Sequence, residues 1–275
     1  MHHSRFPAER LAAERRESVS VCVPVVNEAD TIEPIVRDLV DLKERGAIDQ
    51  VLVVDGGSTD GTPDLARRAG AEVRPQAQLV PHSGPVLGKG DAMWRALTAM
   101  HGDIVVFVDG DSGGFVPHFA CGLAGPLLFD AGVQYVKGYY RRPFKVGDVT
   151  LPEGGGRVTE LTARPLLELF FPELAAIRQP LAGEMAARRD LLTRLAFTTG
   201  YGVEIALLID IYREVGIDAI AEVDLDVRQN RHQPIQALGQ MAGAVARVVL
   251  ARAGVRGVQG TGVVRPPLRS LRISA

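Results

Sequence analysis

The sequence predicts an α/β fold built around a Rossmann-like, mostly parallel sheet that carries helices on both faces. Short apolar runs alternate with segments of helical periodicity in the first half of the 275-residue chain, and repeated strand–helix–strand units imply parallel pairing. The runs are rich in valine and isoleucine, as is typical of strands buried on both faces. Polar residues follow these runs directly, at the edge where parallel sheets bind their ligands.

The first half contains four predicted strands joined by helices. We place the strands at residues 19–23, 51–54, around Val73, and 104–108. The intervening helices are predicted at residues 28–45, 59–69 and 89–100, where apolar residues recur every three or four positions.

The second half is less regular. We predict a strand at residues 133–139, a polar hairpin or loop at 140–153, helices at 157–171, 203–215 and 238–253, and a strand at 220–223. No linker or internal repeat divides the chain, so we expect a single domain over residues 1–275. Its parts are one half at 18–132, a smaller half at 133–253 and a basic tail at 254–275, and the tail is expected to be mobile or to lie in a subunit contact.

The composition excludes several classes of protein. A net charge of −2 offers no broad positive surface for nucleic acid or an anionic membrane. No apolar run reaches the roughly 18 residues that span a bilayer, and the charged segment 1–17 has no signal-peptide core. Cys22 and Cys121 show no disulfide or metal-binding spacing. We therefore expect a soluble, cytoplasmic protein that binds neither nucleic acid nor membranes.

The sequence Asp109-Gly110-Asp111 follows the most apolar of the predicted strands. Two carboxylates at the end of a buried strand are expensive unless a partner compensates their charge. A divalent cation would do so, since Mg²⁺ and Mn²⁺ prefer oxygen ligands and often bridge carboxylates to substrate phosphates. The alternative is a solvated turn, because Asp-Gly is common in turns.

Two further strand-end segments have residues suited to a phosphate-containing ligand. After the second strand, Asp55 opens a glycine-rich loop and could accept a hydrogen bond from a nucleobase or a ribose. A helix cap formed by Ser58 or Thr59 is the structural alternative, and the two roles are compatible. Lys89 lies between two glycines at a predicted helix start, where an ammonium group can reach a phosphate.

These segments together resemble the nucleotide-sugar domain of GT-A glycosyltransferases. Other stretches resemble glycosyltransferase family 81, which contains the glucosyl-3-phosphoglycerate synthases and their mannosyl-transferring relatives. The GT-A segments are VPVVNE at 23–28, VDGGSTDG at 54–61, GKG at 88–90 and DGD at 109–111. The family segments are VKGYYRRP at 136–143, GGGRVTEL at 154–161, QPLAGE at 179–184 and GYGVE at 200–204. The resemblance extends from about residue 19 to residue 253.

The resemblance implies roles for residues of the first half. The nucleotide-sugar would be bound by the following residues: Pro24, Val25, Glu28, Asp55, Ser58, Lys89, Asp109 and Gly110. Among them, Lys89 would meet the diphosphate and Asp109 would face the ribose and sugar. Asp111 would bind a Mg²⁺ or Mn²⁺ ion that bridges the diphosphate.

The resemblance also implies roles for residues of the second half. The acceptor would be bound by Gly156, Arg157, Thr159, Tyr201, Arg228 and Asn230. A guanidinium and a hydroxyl at a helix start suit a phosphorylated acid, and Arg157 would otherwise be disfavoured there by the helix dipole. Glu204 would accept sugar hydroxyls and join Lys89 and Asp109 as a catalytic residue, the alternative being a carboxylate placed at a helix start by the dipole.

One motif departs from the family pattern. Members with glucosyl activity typically show Val-Arg-Ala-His-Arg-Asn-Arg-Pro, whose histidine is a metal ligand. This chain reads Val-Arg-Gln-Asn-Arg-His-Gln-Pro at residues 227–234, with Asn230 at the ligand position and His232 two residues later. We predict that His232 binds the metal together with Asp111, with contact to the acceptor as its alternative.

The resemblance implies transfer of a hexose from a nucleoside diphosphate to the 2-hydroxyl of 3-phosphoglycerate, with retention, by a homodimer. Mannosyl transfer from GDP-mannose is the alternative within the family, and the sequence does not decide the donor. An inverting enzyme acting on a polyprenyl phosphate would show a membrane anchor or a basic amphipathic helix. A processive synthase would need a Gln-x-x-Arg-Trp motif, and the chain's single tryptophan is Trp94.

Overall fold

The computed structural model describes residues 1–112, 115–142, 144–146, 149–151, 156–228, 234–260 and 262–271. Its α-helices are α1 (Ala8–Glu14), α2 (Ile32–Glu44), α3 (Thr62–Arg68), α4 (Lys89–Ala96), α5 (His118–Phe129), α6 (Arg164–Phe170), α7 (Arg189–Arg194), α8 (Val203–Val215) and α9 (Ile235–Arg252). Its strands are β1 (Val19–Val25), β2 (Gln50–Asp55), β3 (Glu72–Pro75), β4 (Ile104–Phe107), β5 (Tyr135–Arg141), β6 (Phe144–Val146), β7 (Val149–Leu151), β8 (Met185–Arg188), β9 (Phe197–Thr198), β10 (Ile220–Val227) and β11 (Val264–Arg265).

Seven of these strands form one sheet, in the order β10-β5-β8-β4-β1-β2-β3. The strands β1 to β4 pair in parallel, as do β5 and β10. Between these groups lies β8, which is antiparallel to both β4 and β5. The predicted mostly parallel sheet is confirmed, whereas β8 was not predicted, because four residues with two alanines carry no distinct strand signal.

Hydrophobic cores lie on both faces of the sheet, as the strand pattern requires. Consecutive strand residues point to opposite faces, so Val21 and Val23 belong to one core while Cys22 belongs to the other. The first core is completed by α2 and α5, and the second by α4, α8 and α9. The predicted placement of helices on both faces is therefore confirmed.

Helix α5 was not predicted. Its residues from Phe119 to Leu127 are all buried, so the segment lacks the apolar stripe by which an amphipathic helix is recognised. Pro126 and two glycines also weaken its helical signal. Gly125 is required by packing, since a Cβ atom there would lie 2.2 Å from Cγ of Phe6.

Several predicted elements differ from the observed ones at their ends. The predicted helix 28–45 begins only at Ile32, because Asn27 has a left-handed backbone (φ 57°) and a turn follows it. The predicted helix 89–100 ends at Ala96. Within the predicted helix 157–171, residues Thr159–Ala163 form a π-helical turn that leads directly into α6.

Strand β10 continues beyond the predicted 220–223 to Val227. A bulge interrupts its pairing with β5 between Asp224 and Val227, and Asp226 within the bulge has φ 68°. The predicted hairpin within residues 140–153 is confirmed by the antiparallel pairing of β6 with β7.

The tail was predicted to be mobile or to lie in a subunit contact, and the residues that the structure describes from 264 onward pack against the rest of the chain instead of being mobile. The subunit contact stays a prediction. Strand β11 pairs with β9, and the carbonyl of Pro266 accepts a 2.8 Å hydrogen bond from the indole of Trp94. Arg265 is buried and forms a 2.6 Å ion pair with buried Asp91. The basic residue thus serves an internal contact, which composition alone does not reveal. No helix in the described part of the chain is both long and apolar enough to cross a membrane.

Candidate active site

The predicted site residues converge at one edge of the sheet. Parallel strands β1, β2 and β4 end there in Val25, Asp55 and the segment 108–111. Because β8 runs in the opposite direction, the residue that precedes it, Glu184, reaches the same edge. Helices α4 and α8 begin beside it with Lys89 and Glu204. Topology therefore gathers charged residues from distant parts of the sequence.

Lys89 joins two of the predicted catalytic carboxylates. Its ammonium lies 2.6 Å from Oδ1 of Asp109 and 2.7 Å from Oε1 of Glu204. Burial alone would lower the pKa of Lys89, but the two carboxylates outweigh burial and hold this pKa well above its usual value. The three residues predicted to be catalytic are thus in direct contact, with Lys89 protonated.

Arg228 holds the acidic pair from the other side. Its guanidinium lies 3.2 Å from Oδ2 of Asp109 and 2.9 Å from Oδ1 of Asp111, and it also pairs with Glu184. Arg228 and Glu184 are each 1% exposed. Burial would lower the pKa of Arg228, but Glu184 and the other acidic groups raise it well above its usual value. Burial would likewise raise the pKa of Asp109, yet Lys89 and Arg228 lower it.

Tyr140 and Glu184 support Arg228 and were not predicted as site residues. The Tyr140 hydroxyl donates to Oε2 of Glu184 at 2.9 Å and accepts from Arg228 and Arg142, both at 2.9 Å. Burial raises the pKa of Tyr140 to about 12. The family-like segments 136–143 and 179–184 contained both residues, but only the fold shows that they meet. Gly183, which precedes Glu184, leaves room for Asp109, because a Cβ on Gly183 would lie 2.2 Å from Oδ1 of Asp109.

Lys137 is a second buried cation of the site. Its side chain is fully buried and donates a hydrogen bond to the carbonyl of Ala182. Burial lowers the pKa of Lys137 to about 8, with partial opposition from Glu204. Lys137 is therefore protonated at neutral pH, although its burial disfavours the charged form.

The substitution K137M tests how the burial of Lys137 affects stability. The unfolded chain keeps the lysine proton up to its ordinary pKa of 10.5, whereas the folded chain loses it from about pH 8. Between these values the free energy of unfolding of the wild type should rise relative to that of K137M, by at most about 3 kcal/mol. Below pH 8 both states are protonated and the unfavourable burial is fully present. Urea unfolding of metal-free protein across this pH interval measures the difference, and identical pH dependences of the two proteins would contradict the prediction.

The predicted nucleotide-binding loop is ordered by its own hydrogen bonds. Asp55 accepts from the backbone N–H groups of Gly57 (3.2 Å) and Ser58 (3.1 Å). The Ser58 hydroxyl accepts from the N–H of Asn27 at 2.8 Å. Asp60, rather than Ser58 or Thr59, accepts the N–H of Thr62 at the start of α3. The N-cap residue of α3 is Gly61, so neither Ser58 nor Thr59 caps this helix, and a nucleotide role for Asp55 and Ser58 stays a prediction.

The remaining predicted donor residues surround this loop. Pro24 and Val25 end β1, and the carbonyl of Val25 accepts from the N–H of Gly56 at 2.9 Å. The N–H of Glu28 donates to the hydroxyl of Thr62 at 2.9 Å. Gly110 lies beside Val25, since a Cβ there would come within 2.6 Å of its Cγ1. The structure thus brings the predicted donor residues to one surface.

The predicted acceptor loop lies next to Arg142. Gly156 has φ 80°, and a Cβ built on it would be 3.9 Å from Nη1 of Arg142. Its carbonyl accepts the N–H of Glu160 at 3.1 Å, so that Arg157 stands in the first turn of a helix. Thr159 is buried on this turn, whereas Tyr201 is 67% exposed before α8. Asn230 and His232 lie outside the described residues.

Several known proteins are similar to this chain in sequence and in structure. The glycosyl transferase family 2 model matches residues 20–112. A glucosyl-3-phosphoglycerate synthase of Mycobacterium tuberculosis (strain CDC 1551 / Oshkosh) is 48% identical over 250 residues, which are 90% of this chain and 77% of the relative. The chain belongs to the glucosyl-3-phosphoglycerate synthase family. The family prediction is confirmed.

Two solved structures resemble this family member throughout. One is the mannosyl-3-phosphoglycerate synthase of Rubrobacter xylanophilus, with a TM-score of 0.88 and 42% identity over 98% of this chain and 95% of that one. The other is the M. tuberculosis glucosyl-3-phosphoglycerate synthase in complex with Mn²⁺, UDP-glucose and phosphoglyceric acid, with a TM-score of 0.83 and 43% identity over 95% and 93%. The GT-A fold and a glycosyltransferase activity are thereby confirmed.

The described residues of this synthase-family site fit a divalent cation. Four carboxylates, those of Asp109, Asp111, Glu184 and Glu204, face three cations, Lys89, Lys137 and Arg228. The excess negative charge lies at the open side, because the Asp111 side chain is 53% exposed. Carboxylate oxygens are the ligands that Mg²⁺ and Mn²⁺ prefer. Buried Oγ of the adjacent Ser112 also has no hydrogen-bond partner in the described part of the chain, which is compatible with a missing ligand.

Proposed function

We propose that this protein transfers the glucosyl group of UDP-glucose to the 2-hydroxyl of 3-phosphoglycerate, with retention at the anomeric carbon. One observation carries the proposal. The contacts of Lys89, Asp109, Asp111 and Arg228 form a continuous charged site within a chain that is 48% identical to a named synthase over nine-tenths of its length. Members of the family bind Mn²⁺ with these substrates, and the enzyme is metal-dependent.

The diphosphate side of the site would be formed by Asp111 and Lys89. Asp111 would hold the cation, which supplies neutralisation of the diphosphate charge as the sugar leaves. Lys89 has its ammonium between two carboxylates, so a diphosphate oxygen can replace one of them without leaving the charge unpaired. Such preorganised charge acts mainly on the transition state, where negative charge accumulates on the leaving group.

The sugar side would be formed by Asp109 and Glu204. Both carboxylates are bound to Lys89, and Asp109 also accepts from Arg228. A carboxylate that is paired with a cation is a weaker nucleophile than a free one, so we assign both groups to sugar hydroxyls and not to a covalent intermediate. Retention would then follow from attack on the face that the diphosphate leaves, with a diphosphate oxygen taking the proton of the acceptor hydroxyl.

The acceptor side would be formed by Gly156, Arg157 and Thr159. Arg157 lies in the first turn of a helix, and such helix starts favour phosphate and carboxylate groups. Arg142 lies beside Gly156 and adds a second guanidinium. Tyr201, exposed at the start of α8, would cover the bound acceptor. Arg228 would act on the acceptor only indirectly, because its guanidinium is already held by Glu184 and the acidic pair.

R157A should raise the KM for 3-phosphoglycerate by about tenfold or more, because a charge-assisted contact to phosphate is worth roughly 1.5–3 kcal/mol. The KM for UDP-glucose should change little. Steady-state kinetics with each substrate varied in turn measure both constants. R256A is the matched control, since Arg256 is exposed far along the chain, and it should alter neither. A selective loss of donor affinity in R157A would show that the acceptor loop has been assigned to the wrong substrate.

The choice of donor is tested by assaying UDP-glucose, GDP-glucose and GDP-mannose, each with 3-phosphoglycerate. UDP-glucose should give the highest kcat/KM. GDP-mannose is the second candidate, because the mannosyl-transferring relative from R. xylanophilus has the higher TM-score of the two structures above. A preference for GDP-mannose would reassign the donor while retaining the acceptor. Hydrolysis of the donors without transfer would contradict the assignment of 3-phosphoglycerate as the acceptor.

We further propose that the enzyme is a cytoplasmic homodimer. Cys22 and Cys121 are buried thiols without a disulfide partner, and burial raises the pKa of Cys121 to about 12. Such thiols suit a reducing compartment, and a homodimer is implied by the family resemblance. Light scattering of the purified protein measures the oligomeric state, and a monomer at assay concentrations would contradict the dimer.

A further inference from the structure

Two histidines near the start of the described chain converge with one aspartate of strand β10. The Nε2 atom of His3 lies 2.6 Å from Oδ2 of Asp226, and the Nε2 atom of His2 lies 3.3 Å from Oδ1 of the same carboxylate. One ligand atom from each residue lies within 4.8 Å of the others. Neither histidine has a part in the proposed glucosyl transfer.

Backbone contacts hold the two histidines against strand β10. The N–H of Asp224 donates to the carbonyl of Met1 at 2.8 Å, and His2 forms a parallel bridge with Asp224. On the strand side, the bulge with its left-handed Asp226 (φ 68°) turns this carboxylate away from the regular alternation and towards the histidines. The cluster therefore combines two segments that are more than two hundred residues apart in the sequence.

A third imidazole fixes the orientation of His3. The His118 ring stacks on that of His3 with centroids 3.7 Å apart and planes 18° apart. His118 is itself positioned by the carbonyl of Leu225, 3.2 Å from its Nε2. His3 thus presents its Nε2 in a fixed direction.

We propose that His2, His3 and Asp226 form a second metal site, selective for zinc and similar late transition-metal ions. Imidazole nitrogen and one carboxylate are ligands that Zn²⁺ prefers, whereas Mg²⁺ favours oxygen alone. In a tetrahedral site with bonds of about 2.0–2.2 Å, neighbouring ligand atoms are about 3.3 Å apart. The separation of His2 from Asp226 is 3.3 Å, whereas that of His3 is 2.6 Å, a hydrogen-bond distance that would lengthen when a cation binds. Water would complete the coordination.

Metal binding requires that each Nε2 atom offers its lone pair, and not a proton, to the cation. A neutral imidazole would change tautomer, so that its single proton lies on Nδ1 and the Nε2 lone pair faces the cation. Arg141 is the opposing charge, with Nη2 3.8 Å from Oδ1 of Asp226. Its side chain is 61% exposed, so it can move away when a cation binds.

The experiment is zinc titration of the untagged full-length protein by calorimetry, in saturating Mg²⁺ so that the transfer site does not compete. Cobalt, a spectroscopic substitute for zinc, gives a second readout through its visible absorption in a tetrahedral site. The wild type should bind one equivalent of zinc that Mg²⁺ does not displace. H3A and D226N should each weaken zinc binding by about tenfold or more. H82A, which removes an exposed histidine elsewhere, should bind as the wild type does.

The variants also separate a metal site from a purely structural hydrogen bond. Thermal unfolding without metal identifies any variant that is destabilised, and H2A, whose ring is 46% exposed, removes one ligand at the surface. A tetrahedral cobalt spectrum in the wild type that is lost in H2A supports the site even if H3A unfolds. Equal zinc affinity in the wild type and H3A would overturn the proposal. A loss of zinc affinity in H82A as large as that in H3A would do the same.

Discussion

D111N is expected to lower kcat by about two to three orders of magnitude while leaving the fold intact, because it removes a carboxylate charge from the place where the diphosphate charge must be neutralised. The side chain of Asp111 is half exposed, and its ion pair with Arg228 is one of several that hold that guanidinium. Its contribution to stability should therefore be small. Initial rates at saturating UDP-glucose and 3-phosphoglycerate, together with thermal unfolding, measure both effects.

D218N is the matched control for D111N. Asp218 is exposed before β10, away from the acidic pair, and its replacement should change neither rate nor stability. The divalent cation concentration for half-maximal rate should rise in D111N and stay constant in D218N. If D111N kept full activity in the presence of a chelator, Asp111 would have no metal role.

R228M is expected to destabilise the protein by about 3–5 kcal/mol, because removing one partner of a buried ion pair leaves the other charge buried and unpaired. Arg228 is 1% exposed and lies against three carboxylates. Activity should also fall sharply, since Asp109 and Asp111 lose the group that positions them. Urea unfolding and initial rates measure the two losses, and R67M, which removes an exposed ion pair with Asp64, should change stability by less than about 1 kcal/mol.

A double-mutant cycle with E184Q decides whether stability is lost through the buried pair. R228M alone leaves the charge of Glu184 buried without a partner, and E184Q removes that charge. The loss of stability in R228M/E184Q should therefore be smaller than the sum of the losses in the two single variants. Strict additivity would mean that Arg228 and Glu184 do not stabilise each other, and that R228M acts through packing alone.

The donor side of the site could be predicted because its signals are local. Asp109, Asp111 and Asp55 each follow a strand end, and Lys89 opens a helix. Parallel strands bring such ends to one edge whatever their separation in the sequence. Glu204 and Arg228 required the family resemblance, since neither a helix start nor a strand end by itself indicates which neighbour it meets.

The remaining parts depend on contacts that no local pattern encodes. Glu184 enters the site because β8 inserts between β4 and β5, and Tyr140 is recognised only when its hydroxyl is seen between Glu184 and Arg228. The basic tail was expected to be mobile or to lie in a subunit contact, yet Arg265 pairs with a buried aspartate 174 residues away. Buried ion pairs of this kind are invisible to composition.

The position of β8 has a consequence for how the chain folds. Strand β4, with the sequence Ile-Val-Val-Phe, remains an exposed sheet edge until Met185–Arg188 is available to pair with it, and unpaired apolar edges promote aggregation during synthesis. Pairings between distant segments also close slowly. Insertion of β8 carries Glu184 to Arg228 in the same event. We therefore expect a rate-limiting late step in refolding at which β8 covers the exposed edge of β4 and nucleotide-sugar binding first becomes possible.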